Sequence, residues 1–172
     1  NIMLNVSHTH GGPMMPSSGW LFRELARTGG AEQYRDWMYD QVTEAAKEAV
    51  DTLAEGSLWF GEGKTAVPMN RRPDRDGHVP NAPNPEGGYD DRLQVLMIKD
   101  SEGEPAAIGV RVSCHPVATG SQHLITADFV GAWRSAFANA FGPGVVPFFL
   151  QGSGADARPS HVADGEKWRK MD

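Results

Sequence analysis

Asn5-Val-Ser-His-Thr-His-Gly-Gly-Pro13 is the stretch on which the reading of this chain turns. Ahead of the histidines, Ile2, Leu4 and Val6 alternate with Met3, Asn5 and Ser7, a period of two that predicts a strand. Side chains two apart on a strand share a face, so His8 and His10 stand side by side. Gly11, Gly12 and Pro13 break the strand into an open turn. Two imidazoles at a strand end beside a gap left by glycines can hold a divalent metal or polarise a carbonyl. They can equally be two half-buried polar histidines, and the pair alone does not decide.

Outward from that stretch, 172 residues are enough for one domain with a proper core. The chain opens on a strand leading straight into a candidate site. It closes on Glu166-Lys-Trp-Arg-Lys-Met-Asp172, which reads as a segment entering a helix. Both ends predict a piece of a longer protein, truncated at either side. The net charge of −6 and the lack of a Lys/Arg block argue against a nucleic-acid surface. No apolar run approaches a membrane-spanning length. The single cysteine, Cys114, cannot form an internal disulfide, so no redox compartment is implied.

Ala31 to Ala54 is helical by pattern. Tyr34, Trp37, Met38, Val42, Ala45, Ala46, Ala49, Val50 and Leu53 recur at three- and four-residue steps, an apolar stripe expected to face a core and to end at Gly56. Ser57 to Phe60 begins a strand. Gly63-Lys64-Thr65 resembles the end of a phosphate-binding loop, but Leu58 stands where that motif needs glycine. Pro68 to Gly88 carries prolines, glycines, Asn, Asp and Arg with almost nothing apolar, and reads as a long polar loop. Leu93–Ile98 and Ala107–Cys114 then form a hairpin around the turn Asp100–Glu104. The second strand runs into His115-Pro116-Val117. A helix over about Asp128–Phe141, capped by Thr126 or Asp128, precedes the strand Val145–Leu150 and a glycine-rich turn, Gln151–Pro159. The fold class is therefore α/β, a mixed sheet flanked by amphipathic helices. Three strand ends, Ser7–His10, Cys114–Val117 and Gln151–Pro159, gather where ligand sites form.

In order, Ser7-His-Thr-His-Gly-Gly-Pro13, Asn70-Arg71, His115-Pro-Val117 with Ile125-Thr-Ala-Asp-Phe-Val-Gly131, and Gln151-Gly-x-x-x-Asp156-x-x-Pro159 resemble the catalytic domain of the neutral/alkaline, non-lysosomal ceramidases. The resemblance spans nearly the whole chain. It implies zinc as cofactor, with His8 and His115 as ligands and His10 and Arg71 facing the substrate. The family's further ligands, a glutamate and a tyrosine, match no position here, which leaves a tetrahedral shell incomplete and agrees with a fragment. It also implies a lipid amide substrate of sphingolipid type, peripheral membrane contact, and a secreted or extracytoplasmic setting.

One position departs from the family. Its Gly-Asp-Val-Ser-Pro turn carries a nucleophilic serine, and this chain reads Ala155-Asp156-Ala157-Arg158-Pro159. An arginine stays protonated and cannot attack a carbonyl. Asp156 matches the family's aspartate as a residue that shapes the turn. The reading that follows is a zinc-dependent amide hydrolase with zinc-activated water as nucleophile and with His10, Arg71 and Arg158 serving the substrate. Two alternatives stand beside it: a hydrolase of a different, anionic substrate, and a non-catalytic domain that binds a ligand or partner. An all-β sugar-binding barrel is opposed by the long helices. Arg158 is expected either to swing away to a carboxylate or to meet a negative charge on the substrate.

Overall fold

The computed structural model describes residues 2–13, 15, 30–120, 122, 124–164 and 167–170. It divides into two units, one of Asn1–Met3 with Gly12–Ala54 and the other of Leu4–Gly11 with Glu55–Asp172.

The first unit contains helix α1 (Ala31–Asp51), opened by Gly30 in the left-handed conformation and closed at Thr52. Leu53 and Gly56 lie beyond its end, so the helix stops earlier than its apolar pattern. No residue of α1 is buried, and Trp37 and Tyr39 are more than half exposed. The stripe expected to face a core is thus uncovered among the described residues.

The second unit is built on a four-stranded sheet of order β1–β3–β4–β5, comprising β1 (Ser57–Lys64), β3 (Arg92–Lys99), β4 (Pro105–Val112) and β5 (Val146–Gln151). The strands β1, β3 and β4 run antiparallel, whereas β4 and β5 are parallel. Joining parallel neighbours takes a crossover, and helix α2 (Asp128–Phe141) lies in that connection. It packs on β5 through Phe129 and Trp133 against Phe149, at ring-centroid distances of 5.9 and 6.5 Å. The predicted mixed α/β architecture is observed, and α2 has the predicted bounds. Gly142, at a φ of 87°, ends it. The core lies along β4, where Ile108, Val110 and Val112 are buried and lead into buried Ser113 and Cys114. Gly109 belongs to this packing because a Cβ there would run into the Phe148 ring of the parallel neighbour.

Two small ladders complete the unit. Strand β2 (Pro68–Asn70) pairs with β6 (Ala157–Pro159), setting Met69 opposite Arg158. Strands β7 (His161–Asp164) and β8 (Lys167–Lys170) form a hairpin. Residues 167–170, expected to enter a helix, are instead held extended by antiparallel pairing with β7. Gly63 and Lys64 end a strand, in keeping with the rejected phosphate-loop reading.

Two further expectations are corrected. Ile2–Thr9 is not a strand. Alternation produces a strand only where a neighbour offers a ladder, and here the edge of β5 is met by a side chain: Gln151 N donates to Asn5 Oδ1 at 3.1 Å. Ile2, Met3, Leu4 and Val6 are accordingly exposed. A fragment is expected to expose apolar surface on at least one sheet edge or helix face, and an edge strand does so, but not around Trp133, Phe137 and Phe148, which are half-buried. It lies instead on β1, where Leu58, Trp59 and Phe60 are 72%, 58% and 69% exposed.

Asp90 ties the sheet to the loop before it. It accepts from Arg92 Nε at 2.7 Å, Ser113 Oγ at 2.9 Å and Arg111 Nη1 at 3.2 Å. The Arg92 guanidinium, aided by Ser113 and Arg111, holds its carboxyl well below the usual carboxylate range. A carboxylate depressed in the folded state contributes stability that is present above the unfolded pKa of about 3.9 and is lost as pH falls below it. Asp90→Asn should therefore lose about 1–2 kcal/mol at pH 7 and show a smaller fall in stability from pH 5 to pH 3 than the parent. Urea denaturation across that range measures both, and parallel pH profiles would refute the assignment.

Candidate active site

The site forms where irregular segments meet the ends of β2, β4 and β5. Residues 8–11 lie along the loop that follows β4. His10 N donates to Pro116 O at 3.5 Å, Thr126 N to Gly11 O at 2.9 Å, and Thr9 Oγ1 to Thr126 O at 3.4 Å. Gly11 is required by this approach, since a Cβ there would strike Thr126. His8 has a φ of 57°, a left-handed conformation rare for a side-chain-bearing residue. Such an outlier accords with a functional constraint.

These segments bring His8 and His10 against His115. The ring centroids are 4.5 Å apart for His8–His115, 5.3 Å for His8–His10 and 5.6 Å for His10–His115. One nitrogen from each of the three lies within 4.8 Å of the others. The two-residue spacing set His8 beside His10, and strand-end convergence with the ceramidase resemblance paired His8 with His115; the structure brings all three into one nitrogen cluster and also sets His10 in the wall of the neighbouring cavity.

His115 is the anchored member. Its backbone N donates to Ala157 O at 3.1 Å, and its Nδ1 lies 2.6 Å from Gly154 O. A carbonyl only accepts, so Nδ1 carries the proton and Nε2 presents a lone pair. Arg71 Nη2, which only donates, sits 3.1 Å from Nε2 and agrees with that tautomer. Burial lowers the pKa of His115, with Arg71, His8 and His10 acting in the same direction. His10 is lowered by burial and then by His8 and Arg71. Both rings are thereby held toward the neutral form that ligates metal.

Arg71 reaches this position from the end of β2. Its Nε and Nη2 donate to Ala155 O at 3.0 and 2.9 Å, and its backbone N to Asp156 O at 2.8 Å. Asp156 thus shapes the turn through its carbonyl, while its residue is exposed. The neighbour Asn70, buried, is an organising residue that pattern reading missed. It donates to Gly88 O at 2.8 Å and accepts from Arg72 N at 2.8 Å and Asn84 Nδ2 at 2.9 Å, folding the polar loop on itself. Such loops need an internal polar centre, and an Asn beside the functional arginine was the available signal.

Asp128 was also missed in this role. It is not a cap for α2, whose N-cap is Ala127. Its buried carboxylate instead accepts from Ala118 N, Thr119 N and Thr119 Oγ1 at 3.0, 2.8 and 2.8 Å, fixing the loop after His115. Cys114, fully buried, has its thiol pushed up to about 12 by burial, so it is no nucleophile. Ser160 donates to Ala66 O at 2.8 Å and Ser153 is exposed; neither lines the cavity with His10. That cavity, of about 560 Å³, is walled by His10, Arg71, Asn81, Val117, Gln122 and Arg158.

The donor set fits a zinc ion. Three imidazoles are a known zinc-binding set, and bonds of about 2.0–2.1 Å bring ligand atoms to roughly 3.3 Å. The observed separations need only modest side-chain adjustment. At His115 Nε2 the ion would take the lone pair that Arg71 now occupies.

No protein-family model matches the chain. Over 137 residues it is 30% identical to the neutral ceramidase of Pseudomonas aeruginosa, covering 76% of this chain and 20% of the relative. The chain is homologous to one part of a neutral ceramidase. It spans about a fifth of the length of that ceramidase. The crystal structure of neutral ceramidase from Pseudomonas aeruginosa superposes with a TM-score of 0.58 at 24% identity, over 74% of this chain and 21% of that one. A ceramidase complexed with C2 gives a TM-score of 0.53 at 26% identity, over 66% and 18%. The ceramidase resemblance read from the motifs is therefore matched by comparison of both sequence and fold.

Proposed function

We propose that this chain supplies part of the active site of a zinc-dependent hydrolase that cleaves an N-acyl amide bond, with a sphingolipid-like substrate class. The observation that carries the reading is the cluster of His8, His10 and His115 in a neutral ceramidase homologue. His8 and His115 would hold the zinc, and His10 stands close enough to share in ligation or to face the substrate. When bound there, zinc supplies Lewis acidity toward a carbonyl and makes water a stronger acid.

The chain's own residues do the rest. Gly154 O orients the His115 ring by accepting from Nδ1. Arg71, braced on Ala155 O, presents its guanidinium at the cavity wall, where it can stabilise negative charge on the carbonyl oxygen. Arg158 occupies the place of the family's serine and offers no nucleophile, so the attacking group in this reading is water. An extracytoplasmic setting and peripheral contact with a lipid surface belong to the same proposal.

A second reading, a ligand-binding domain without turnover, is favoured by that one residue, Arg158. Zinc content and release of fatty acid from an N-acyl sphingosine by the full-length protein, before and after chelation, separate the two. Bound zinc with chelator-sensitive release is expected; full activity in the chelated protein would refute zinc dependence. Bound zinc without release from any amide would leave the ligand-binding reading.

A further inference from the structure

The cavity beside the histidine cluster has a charge character opposed to that of the chain. The protein carries a net charge of −6, yet among the described residues the cavity walls present two guanidiniums, Arg71 and Arg158, with an imidazole, the Asn81 and Gln122 amides, and no carboxylate. Arg158 is held there by backbone. It sits at the centre of β6, opposite Met69 in the β2 ladder, between Ala157 and Pro159, which are both buried. Alternation along a strand sends its side chain away from those two. Its Nε is buried without a hydrogen-bond partner, and no carboxylate pairs with it among the described residues. Of the two outcomes expected for Arg158, withdrawal to an acid is therefore not the one observed.

Two guanidiniums on one cavity wall repel, and a buried donor without an acceptor is unfavourable. An oxyanion seated between the two arginines would accept from their cavity-facing N–H groups and offset the repulsion, and planar bidentate recognition of carboxylate or phosphate is what guanidinium does best. We infer that the cavity lined by Arg71 and Arg158 is an anion subsite, and that the amide cleaved here carries a carboxylate or phosphate close to its scissile bond. This rests on the amide-hydrolase reading for the word substrate, but not for the anion subsite.

Binding to the metal-free, chelator-treated full-length protein tests the subsite apart from catalysis. Isothermal titration with N-decanoylglycine, N-decanoylphosphoethanolamine and neutral N-decanoylethanolamine should show at least one charged amide binding roughly tenfold or more tighter than the neutral one. The tighter of the two identifies carboxylate or phosphate as the anion. Arg158→Ser and Arg158→Gln should each abolish that preference, while Arg158→Lys should keep part of it, because charge survives where the planar fork does not. In zinc-loaded protein the charged-to-neutral ratio of kcat/KM should fall by a similar factor in Arg158→Gln. Equal binding of all three amides by the parent, or an unchanged preference in a folded Arg158→Gln, would overturn the inference. A preserved binding preference with no cleavage of any amide would uphold the anion subsite and refute the hydrolase instead.

Discussion

Replacing His115 by Ala in the full-length protein is expected to lower amide hydrolysis by roughly a hundredfold or more and to strip the bound zinc. The size follows from how many jobs meet in this ring. His115 is the anchored member of the nitrogen cluster, its Nδ1 proton directed to Gly154 O at 2.6 Å and its Nε2 lone pair met by Arg71. Truncation removes a ligand. It also removes the acceptor that helps place the Arg71 guanidinium, which among the described residues then keeps its two bonds to Ala155 O. His10→Ala should act differently if His10 serves the substrate, raising KM or lowering kcat while zinc remains. Zinc analysis on both variants beside kinetics reads the distinction. Unchanged zinc stoichiometry in a folded His115→Ala protein would remove His115 from the ligand set.

Asp128→Ala should be the most damaging single change to stability in the second unit, at about 3–5 kcal/mol. The carboxylate is buried and no cation neutralises it among the described residues; it is satisfied by donors instead. Ala118 N, Thr119 N, Thr119 Oγ1 and Phe129 N all point at it, at 2.8–3.0 Å. Alanine leaves those donors without an acceptor, and it must also adopt the φ of 56° that Asp128 holds. Asp and Asn tolerate that conformation better than Ala. Asp128→Asn should accordingly cost less, about 1–2 kcal/mol, since one amide oxygen remains to accept. Because Val117 and Gly120 border the cavity, the Ala variant should also weaken ligand binding there. Urea denaturation of parent, Asn and Ala proteins gives the order. An Ala variant within about 0.5 kcal/mol of the parent, inside the range of a neutral surface change, would show that this loop does not depend on Asp128.

Much of the fold was legible because local periodicity dictates it. The alternation in Leu93–Ile98 and Ala107–Cys114, with a polar turn between, specifies a hairpin wherever one face is buried, and β3 and β4 form it. The apolar spacing of Asp128–Phe141 specifies a helix of those bounds. The same pattern misled at Ile2–Val6, where a period of two had no ladder to join, and at residues 167–170, where pairing with β7 overrode a helical start. Residue chemistry by itself named His8 and His10, two imidazoles beside glycines, and pointed to His115 at a second strand end, whereas Arg71 and Arg158 were named only through the ceramidase resemblance. Tertiary structure alone decided that three of these side chains share one cluster and that Arg71 caps the His115 lone pair. It alone decided that the Asp128 carboxylate, besides accepting from Phe129 N at the start of α2, holds the loop after His115. It also decided that a three-residue ladder, Met69 against Arg158, fixes that guanidinium in a cavity whose described lining holds no acid. Contacts between residues tens of positions apart are set by how the strands pair and where their ends converge, and no local pattern encodes that distance.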